Sequence, residues 1–448
     1  MTLDPALDFF PMVAAVLAVA TCGLLGNFLV LRRLSLMGDA ISHSVLPGLV
    51  IAFLLTSGAR SGYAMFAGAA VAGVVTVVLI ELVKKLGRVE PGAAMGVVFS
   101  ILFAGGVLLM EQAAASSVDL DADCVLYGQL ETLVWFEAPV EWSGLLSWDT
   151  IAGMPRQVTL LLIVFAAAVL LSVALFKELR IAAFDPGLAT SQGVSATLMH
   201  YVLMTFVAAA TVASFEAVGS ILVIAMLIVP AVTARLLTNR LAPQLIVSLV
   251  IALACGVGGY MAATVVPALF DAPAVNAAGS MTVVAGLLLV LAIVLSPSHG
   301  VLARVIRRRG LAKRSAIDDL LARLLRHRER GVERVPLIDL KPTPGLIAPN
   351  RSAAVAGRQG LVRREGGTLA LTDSGVERAT DVVRRHRQWE TYLVGDADLR
   401  PDHVHDTAEQ LEHLPLDPGG DAKVDPHGRP IPPRPDTRQA TAEPADHP

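Results

Sequence analysis

Gly38-Asp39-Ala40-Ile41-Ser42-His43-Ser44-Val45-Leu46-Pro47-Gly48 runs without interruption into the apolar segment Leu49-Val50-Ile51-Ala52-Phe53-Leu54-Leu55. Asp39 and His43 are four residues apart, so a helix places both side chains on one face, one turn from each other. The apolar continuation puts that helix at the edge of a lipid bilayer. Ionisable groups are expensive there and mark a functional site by default. The spacing alone leaves a second reading open, in which Asp39 caps the helix and His43 is a hydrogen-bonded interfacial histidine.

The chain has 448 residues, 54% hydrophobic and 17% charged, with a mean hydropathy of +0.61. That is too apolar for an ordinary soluble protein and indicates an integral membrane protein. The apolarity is uneven. Charge is sparse as far as Pro297, and Arg, Asp, Glu, His and Pro dominate afterwards. A membrane domain over 1–310 followed by a soluble domain is the expected organisation. The net charge of -3 selects no partner by itself. Cys22, Cys124 and Cys255 form no CxxC pair and read as packing residues. The first ten residues hold Asp4 and Asp8 and no base, so the first apolar run reads as a retained span and not a cleaved signal peptide.

About nine runs suit a hydrocarbon layer of about 30 Å: 9–31, 41–56, 63–83, 93–110, 158–176, 198–215, 220–237, 245–266 and 281–295. The second is short unless it begins upstream, which draws Asp39 and His43 into the membrane. Basic clusters follow alternate spans: Arg32/Arg33, Lys84/Lys85/Arg88, Lys177/Arg180, Arg235/Arg240 and Arg304/Arg307/Arg308/Arg309. All fall on one side, which puts the N-terminus outside and the tail in the cytoplasm of a multi-pass plasma (inner) membrane protein. The fourth loop carries Glu111, Asp119, Asp121, Asp123, Glu131, Glu137, Glu141 and Asp149. It reads either as an acidic vestibule that concentrates cations or as a solvated loop that avoids positive charge. Trp135, Phe136, Trp142 and Trp148 in it suggest interfacial or re-entrant helices. Glu216 reads as an interfacial residue or an extra cation ligand. Between spans five and six, Asp185 before Pro186 signals a helix start and Gly193 its end, either a docking knob or a plain connector. No GxxxxGK[ST] loop is present, so any ATP must bind elsewhere.

Three stretches together carry a resemblance: 38–48, the Phe184-Asp185-Pro186 to Gly193 connector, and Val218-Gly219-Ser220 through Val229-Pro230-Ala231 to Arg235. Over about 10–310 the chain resembles the permease subunit of the zinc/manganese/iron ABC importers. The resemblance implies a complex with an ABC ATPase, a second permease, identical or paralogous, and an extracytoplasmic metal-binding protein, all in membrane lipid. It implies a transient site in the translocation path at Asp39 and His43, and a coupling helix seated on the ATPase around Phe184, Asp185, Pro186, Ala189 and Gly193. Carboxylate and imidazole suit Mn²⁺, Zn²⁺ or Fe²⁺. Pro230 is expected to kink or break span seven.

The tail has a helical period over 315–325, a Pro/Gly-rich loop at 341–350, a small helix near 351–358, and two short strands around Gly366-Gly367. That order outlines a winged helix over 315–375. Further on, Glu409, Glu412 and His413 share one helical face and His386 can approach from a neighbouring helix. Such a cluster strains unless a cation joins it. Residues 315–432 resemble the diphtheria-toxin and manganese repressor family, most specifically at 384–390, 404–413 and 425–432. The resemblance makes His386, Glu409, Glu412 and His413 metal ligands. It puts Glu390 and His405 at an ancillary site, with Asp319 as a ligand from the first helix, and makes 376–433 a dimerisation and metal-sensing domain. The region 351–359 lacks a polar reading face, which argues against DNA as a partner. Residues 434–448 are expected to be disordered.

The expectation is a mainly α chain that forms the membrane subunit of an ATP-driven divalent-metal importer with a regulatory metal-sensing tail, itself no enzyme. Its alternatives are a membrane-tethered, metal-dependent DNA-binding regulator and a secondary metal cation carrier.

Overall fold

A computed structural model describes residues 5–56, 62–114, 130, 133, 153–340, 348–412 and 422–433. Most of the acidic fourth loop with its aromatic residues, Cys124, the 341–347 part of the Pro/Gly-rich loop, His413 and the 434–448 tail lie outside them. The chain divides into two compact units, Met1–Ala303 and Arg304–Pro448.

The described first unit is built from α1 (Pro5–Leu31), α2 (Met37–Ser44), α3 (Leu46–Leu55), α4 (Gly62–Gly87), α5 (Pro91–Ala114), α6 (Arg156–Ala174), α7 (Phe176–Phe184), α8 (Pro186–Ser191), α9 (Ala196–Val218), α10 (Ser220–Leu237), α11 (Leu241–Ala268) and α12 (Ala277–Leu295). Among the described residues, eight apolar helical stretches are long enough to cross a bilayer, and the shorter Leu222–Leu237 in α10 makes a ninth candidate. The second stretch runs Met37–Leu55, so it does begin upstream of Ile41 and includes Asp39 and His43.

α1 is the central helix, packed on α6, α9, α10 and α11. Lipid tails are as apolar as leucine, so close packing and interhelical hydrogen bonds hold such helices together. A Cβ at Gly26 would stand 1.9 Å from the Leu227 carbonyl oxygen, which shows how near the α1 and α10 backbones come. Asn27 Nδ2 donates to Ser248 Oγ at 2.6 Å, and Gln244 Nε2 donates to Asn27 Oδ1 at 2.9 Å, tying α1 to α11. Cys22 and Cys255 are buried, as packing residues should be.

Two breaks shape the unit. Pro47 has no N–H to offer the His43 carbonyl, and the helix stops at Ser44 and restarts at Leu46. Gly219 separates α9 from α10 with φ 79, a left-handed value that favours glycine. Pro230, by contrast, lies inside α10, which continues through it to Leu237; the span is not broken there.

α13 (Val301–Glu329) carries the chain into the second unit. There it is followed by β1 (Val335–Pro336), α14 (Pro349–Arg358), β2 (Val362–Glu365), β3 (Thr368–Leu371), α15 (Asp373–Gly395) and α16 (His405–Leu411). The sheet has three strands in the order β1-β3-β2, both pairs antiparallel. β2 and β3 are the hairpin read from the sequence, turning at Gly366 (φ 53) and Gly367 (φ 86). The two-residue β1 pairs Val335 with Leu369 and is too short for alternation to reveal. Ile317, Leu320, Leu321, Leu324 and Leu325 of α13 pack with Ala353, Ala356, Leu369 and Val382. Each fully buried leucine there contributes about 1.5–3 kcal/mol. Leu393, Val404 and Ala408 form a smaller cluster that seats α16 on α15.

Candidate functional site

The α2 break leaves a short helix whose exposed side carries Asp39 and His43. His43 Nε2 lies 3.3 Å from Asp39 Oδ1, with the two side chains 28% and 43% exposed. The N-cap of α2 is Leu36, which makes no side-chain cap bond, and Asp39 sits in the first turn. The capping reading of Asp39 is therefore wrong. The His43 ring contacts Phe99 at 5.6 Å and Phe103 edge-on at 5.9 Å, both from α5. One carboxylate and one imidazole, half-accessible and backed by aromatic rings, can bind a first-row divalent ion. So few protein ligands leave it free to depart.

Glu216, the other acid considered within the spans, is bound to the Arg156 guanidinium at the start of α6. That cation also lies 5.5 Å from the Tyr63 ring centre. The pairing accounts for Glu216 without a metal.

The connector is a second local feature. Asp185 Oδ1 accepts from the Leu188 N–H at 2.9 Å, and Pro186 occupies the first turn of α8, where its missing N–H costs nothing. Gly193 closes the turn at φ 81. Ala189 is buried against the unit, whereas Phe184 and Leu188 stand exposed. The end of α7 and the capped α8 thus each present one apolar side chain outward.

The third feature lies between α15 and α16. His386, Glu390 and His405 place ligand atoms within 4.8 Å of one another, the group of metal-compatible side chains found among the described residues. His386 Nε2 is 3.1 Å from Glu390 Oε1 and 3.0 Å from His405 Nδ1, and His405 Nδ1 is 2.8 Å from Glu390 Oε1. The other His386 nitrogen, Nδ1, meets Glu412 Oε2 at 2.6 Å. His386, Glu390 and Glu412 are buried, and His405 opens to the surface. Glu390 Oε2 is buried and makes no hydrogen bond. Mixed imidazole and carboxylate donors, one oxygen of them unspent, fit a divalent transition-metal ion.

The motif match sorted these side chains differently, with His386 beside Glu409, Glu412 and His413 and with Glu390 and His405 at a separate site. The structure brings His386, Glu390, His405 and Glu412 together. Glu409 is half-buried on α16 outside the group, and Asp319 is held by Arg323 Nε at 3.1 Å. Burial works against the charged form of His386, yet hydrogen bonds and charge from Glu390 and Glu412 raise its pKa above the ordinary histidine value. Burial likewise works to raise Glu390, and bonds and charge from His386 and His405 override it and bring it down to about 2.

Arg387, the neighbour of His386, was not anticipated from the sequence. Its Nη1 donates to the Pro430 carbonyl at 2.6 Å, its Nη2 binds Glu329 at 2.9 Å, and its Nε lies 3.9 Å from Asp425. Asp425 Oδ1 in turn accepts from the His427 and Arg429 N–H groups. The 425–430 motif is thereby clamped to α15. The signal available beforehand was only the motif itself.

With this geometry in place, similarity to known proteins can be located along the chain. Residues 9–135 and 149–296 match the ABC 3 transport family, and residues 372–415 match the iron dependent repressor, metal binding and dimerisation domain. The zinc transport system membrane protein TroD of Treponema pallidum is 37% identical over 82% of this chain and 96% of its own. That share exceeds the first unit, so the likeness continues into the second. The manganese transport system membrane protein MntD of Bacillus subtilis is 40% identical over 67% of this chain and 96% of its own. Among solved structures, PsaBC from Streptococcus pneumoniae in complex with Fab aligns with a TM-score of 0.51 and 29% identity. It covers 65% of this chain and 92% of that one.

Proposed function

This chain belongs to the ABC 3 transport family, and on that premise we propose that it is the membrane-spanning subunit of an ATP-driven importer of divalent transition metal, Mn, Zn or Fe. The observation that carries this reading is the Asp39–His43 pair, 3.3 Å apart inside an apolar span of a transport-family fold. The metal is cargo: the pair receives it as a partial coordination sphere and a second permease completes the path. The zinc and manganese systems named for two relatives support that substrate class. ATP is hydrolysed on a separate subunit that takes the capped α8 helix, with Phe184 and Leu188, into a cleft. A metal-binding protein delivers the ion from outside. The basic clusters at alternate span ends support an external N-terminus, a cytoplasmic second unit and a plasma-membrane location.

The second unit acts in this reading as a metal sensor. His386, Glu390 and His405 would hold the ion, with Glu412 anchoring His386 from the C-terminal cap of α16 and Glu409 and His413 as further candidate ligands. A bound ion there ties α15 to α16, and it slows uptake if it binds the inhibited state more tightly than the active one. A tethered DNA-binding regulator is not favoured, because the membrane unit matches a transport family along nearly its whole length.

The test is uptake of Mn, Zn and Fe into vesicles carrying this chain with its ATPase and binding protein. ATP-dependent uptake of at least one metal supports the reading; uptake driven by an ion gradient without any ATPase overturns it. Internal metal should slow uptake in the parent protein and lose that effect in Glu412→Ala.

A further inference from the structure

Glu81, near the end of α4, is the most deeply buried charged residue among the described residues of the first unit. Lys84 Nζ donates to its Oε1 at 3.1 Å from one turn along. His200, near the start of α9, brings Nε2 to 3.3 Å from the same oxygen. Arg32, just past α1, donates from Nη1 to His200 Nδ1 at 3.4 Å. Three separate segments of chain meet in one ionic group.

The bonding of this group is incomplete. His200 Nε2 and Arg32 Nε and Nη2 are buried and make no hydrogen bond. Arginine has only donors, so the Arg32 contact makes Nδ1 the acceptor and leaves the proton of a neutral ring on Nε2. Nε2 therefore faces Glu81 as a donor and has no lone pair for a metal. Lys84 and Arg32 also repel a metal ion there. Buried donors left unbonded carry a desolvation cost. Three of them beside one carboxylate form an arrangement that a small shift of α9 against α4 would complete.

The group stands between two features described above. On one side is α8. The Val194 N–H returns to the Ala189 carbonyl at 2.9 Å, and Ser195 Oγ caps α9 by accepting from the Leu198 N–H at 3.2 Å. α8 and the first turns of α9, with His200, are thus bonded continuously. On the other side is α2, which carries Asp39 and His43. The Leu34 N–H bonds to the Leu29 carbonyl at 2.9 Å and the Met37 N–H to the Leu34 carbonyl at 3.0 Å, which holds the turn from Arg32 into α2. α2 is also wedged between α4 and α9. The Ser44 and Thr76 hydroxyls are 2.7 Å apart, and a Cβ at Gly73 would stand 3.0 Å from Ala208 Cβ and 3.4 Å from Ile41 Cγ2. Helices packed this closely move between discrete arrangements and do not deform continuously.

We propose that Arg32, Glu81 and His200 are positioning residues, a joint that carries movement of α8 to α2 and the Asp39–His43 pair by completing its hydrogen bonds in one of two states. The proposal rests on the import reading above and adds the residues that link ATP hydrolysis to the metal pair.

The experiment reconstitutes the full chain with its ATPase and binding protein in vesicles, supplies Mn²⁺, Zn²⁺ or Fe²⁺ singly, and measures metal moved per ATP hydrolysed. Glu81→Ala and His200→Ala should each lower that ratio about fivefold while basal hydrolysis and assembly hold. The double variant should lower it no further, because both changes break one joint. Glu81→Gln, which keeps the bulk without the charge, should show the same loss at parental thermal stability. Losses that multiply in the double variant would overturn the proposal, since the two residues would then act separately. Uptake and hydrolysis falling together at a constant ratio would overturn it too, as would a lowered melting temperature with a parental ratio. ATP-driven uptake at the parental ratio in every variant overturns the joint alone; uptake by the parent without any ATPase overturns the import reading and the joint together.

Discussion

His386 Nδ1 stands 2.6 Å from Glu412 Oε2 across 26 residues of sequence, with both side chains buried. The same ring offers its other nitrogen to Glu390 and His405. One imidazole therefore joins two carboxylates and a second imidazole, and the order of α16 on α15 depends on it. A buried bond of this kind is costly to break, because the partner left behind keeps its desolvation penalty.

Replacing Glu412 with alanine should destabilise the metal-free second unit by about 1.5–3 kcal/mol and weaken metal binding to it. Thermal melting and equilibrium dialysis of the full chain measure the two effects. Unchanged values in both would mean that the His386–Glu412 bond carries no weight.

The metal-free chain should also respond to pH in a fixed direction. The folded pKa of His386 is raised, so its contribution to stability is complete below about pH 6.5 and is lost as pH rises through the folded value. Glu390, held down at about 2, contributes throughout that range. Without metal, the protection of α15 amides, taken relative to the exchange rate of an unstructured chain at each pH, should therefore fall as pH rises above about 6.5. Saturating metal, which replaces the proton as the partner of the carboxylates, should abolish the trend.

Arg387→Ala should free residues 422–433 from α15, because the Pro430 carbonyl, Glu329 and Asp425 all lose a charged partner. The cost is about 1.5–3 kcal/mol. Limited proteolysis should then cut in that segment while leaving the membrane unit whole.

Asp185→Ala removes the cap that the Leu188 N–H uses, a loss of about 1 kcal/mol in a helix of six residues. In the assembled transporter, metal-stimulated ATP hydrolysis should fall while the ATPase subunit alone keeps its basal rate. A parent-like stimulated rate would argue against α8 as the contact.

The long spans were legible because about twenty consecutive apolar residues constitute a signal of their own, and basic residues at alternate ends gave the order a check. The α2–α3 break was half visible in Pro47, and its consequence, a span starting at Met37, placed Asp39 and His43 inside it. Capping by Asp39 was the wrong half of an open choice, since the cap position falls on Leu36. In the second unit the hairpin announced itself by Gly366-Gly367, whereas β1 had no alternation to show. The residues of the metal group were all named from the sequence; His386 meets Glu412 of its own set and also Glu390 and His405, which the motif match had put at an ancillary site. Glu390 reaches His386 by the i,i+4 spacing within α15, whereas the approach of His405 is settled by packing of α16 on α15.

Initial rates of metal uptake by the reconstituted complex, compared between the parent chain, Asp39→Ala and His43→Ala, test the central claim most directly. The account predicts that each substitution lowers the rate at least about tenfold, a change near 1.4 kcal/mol in the barrier, while the complex still assembles and retains basal ATP hydrolysis. Parent-like uptake in both variants would contradict it.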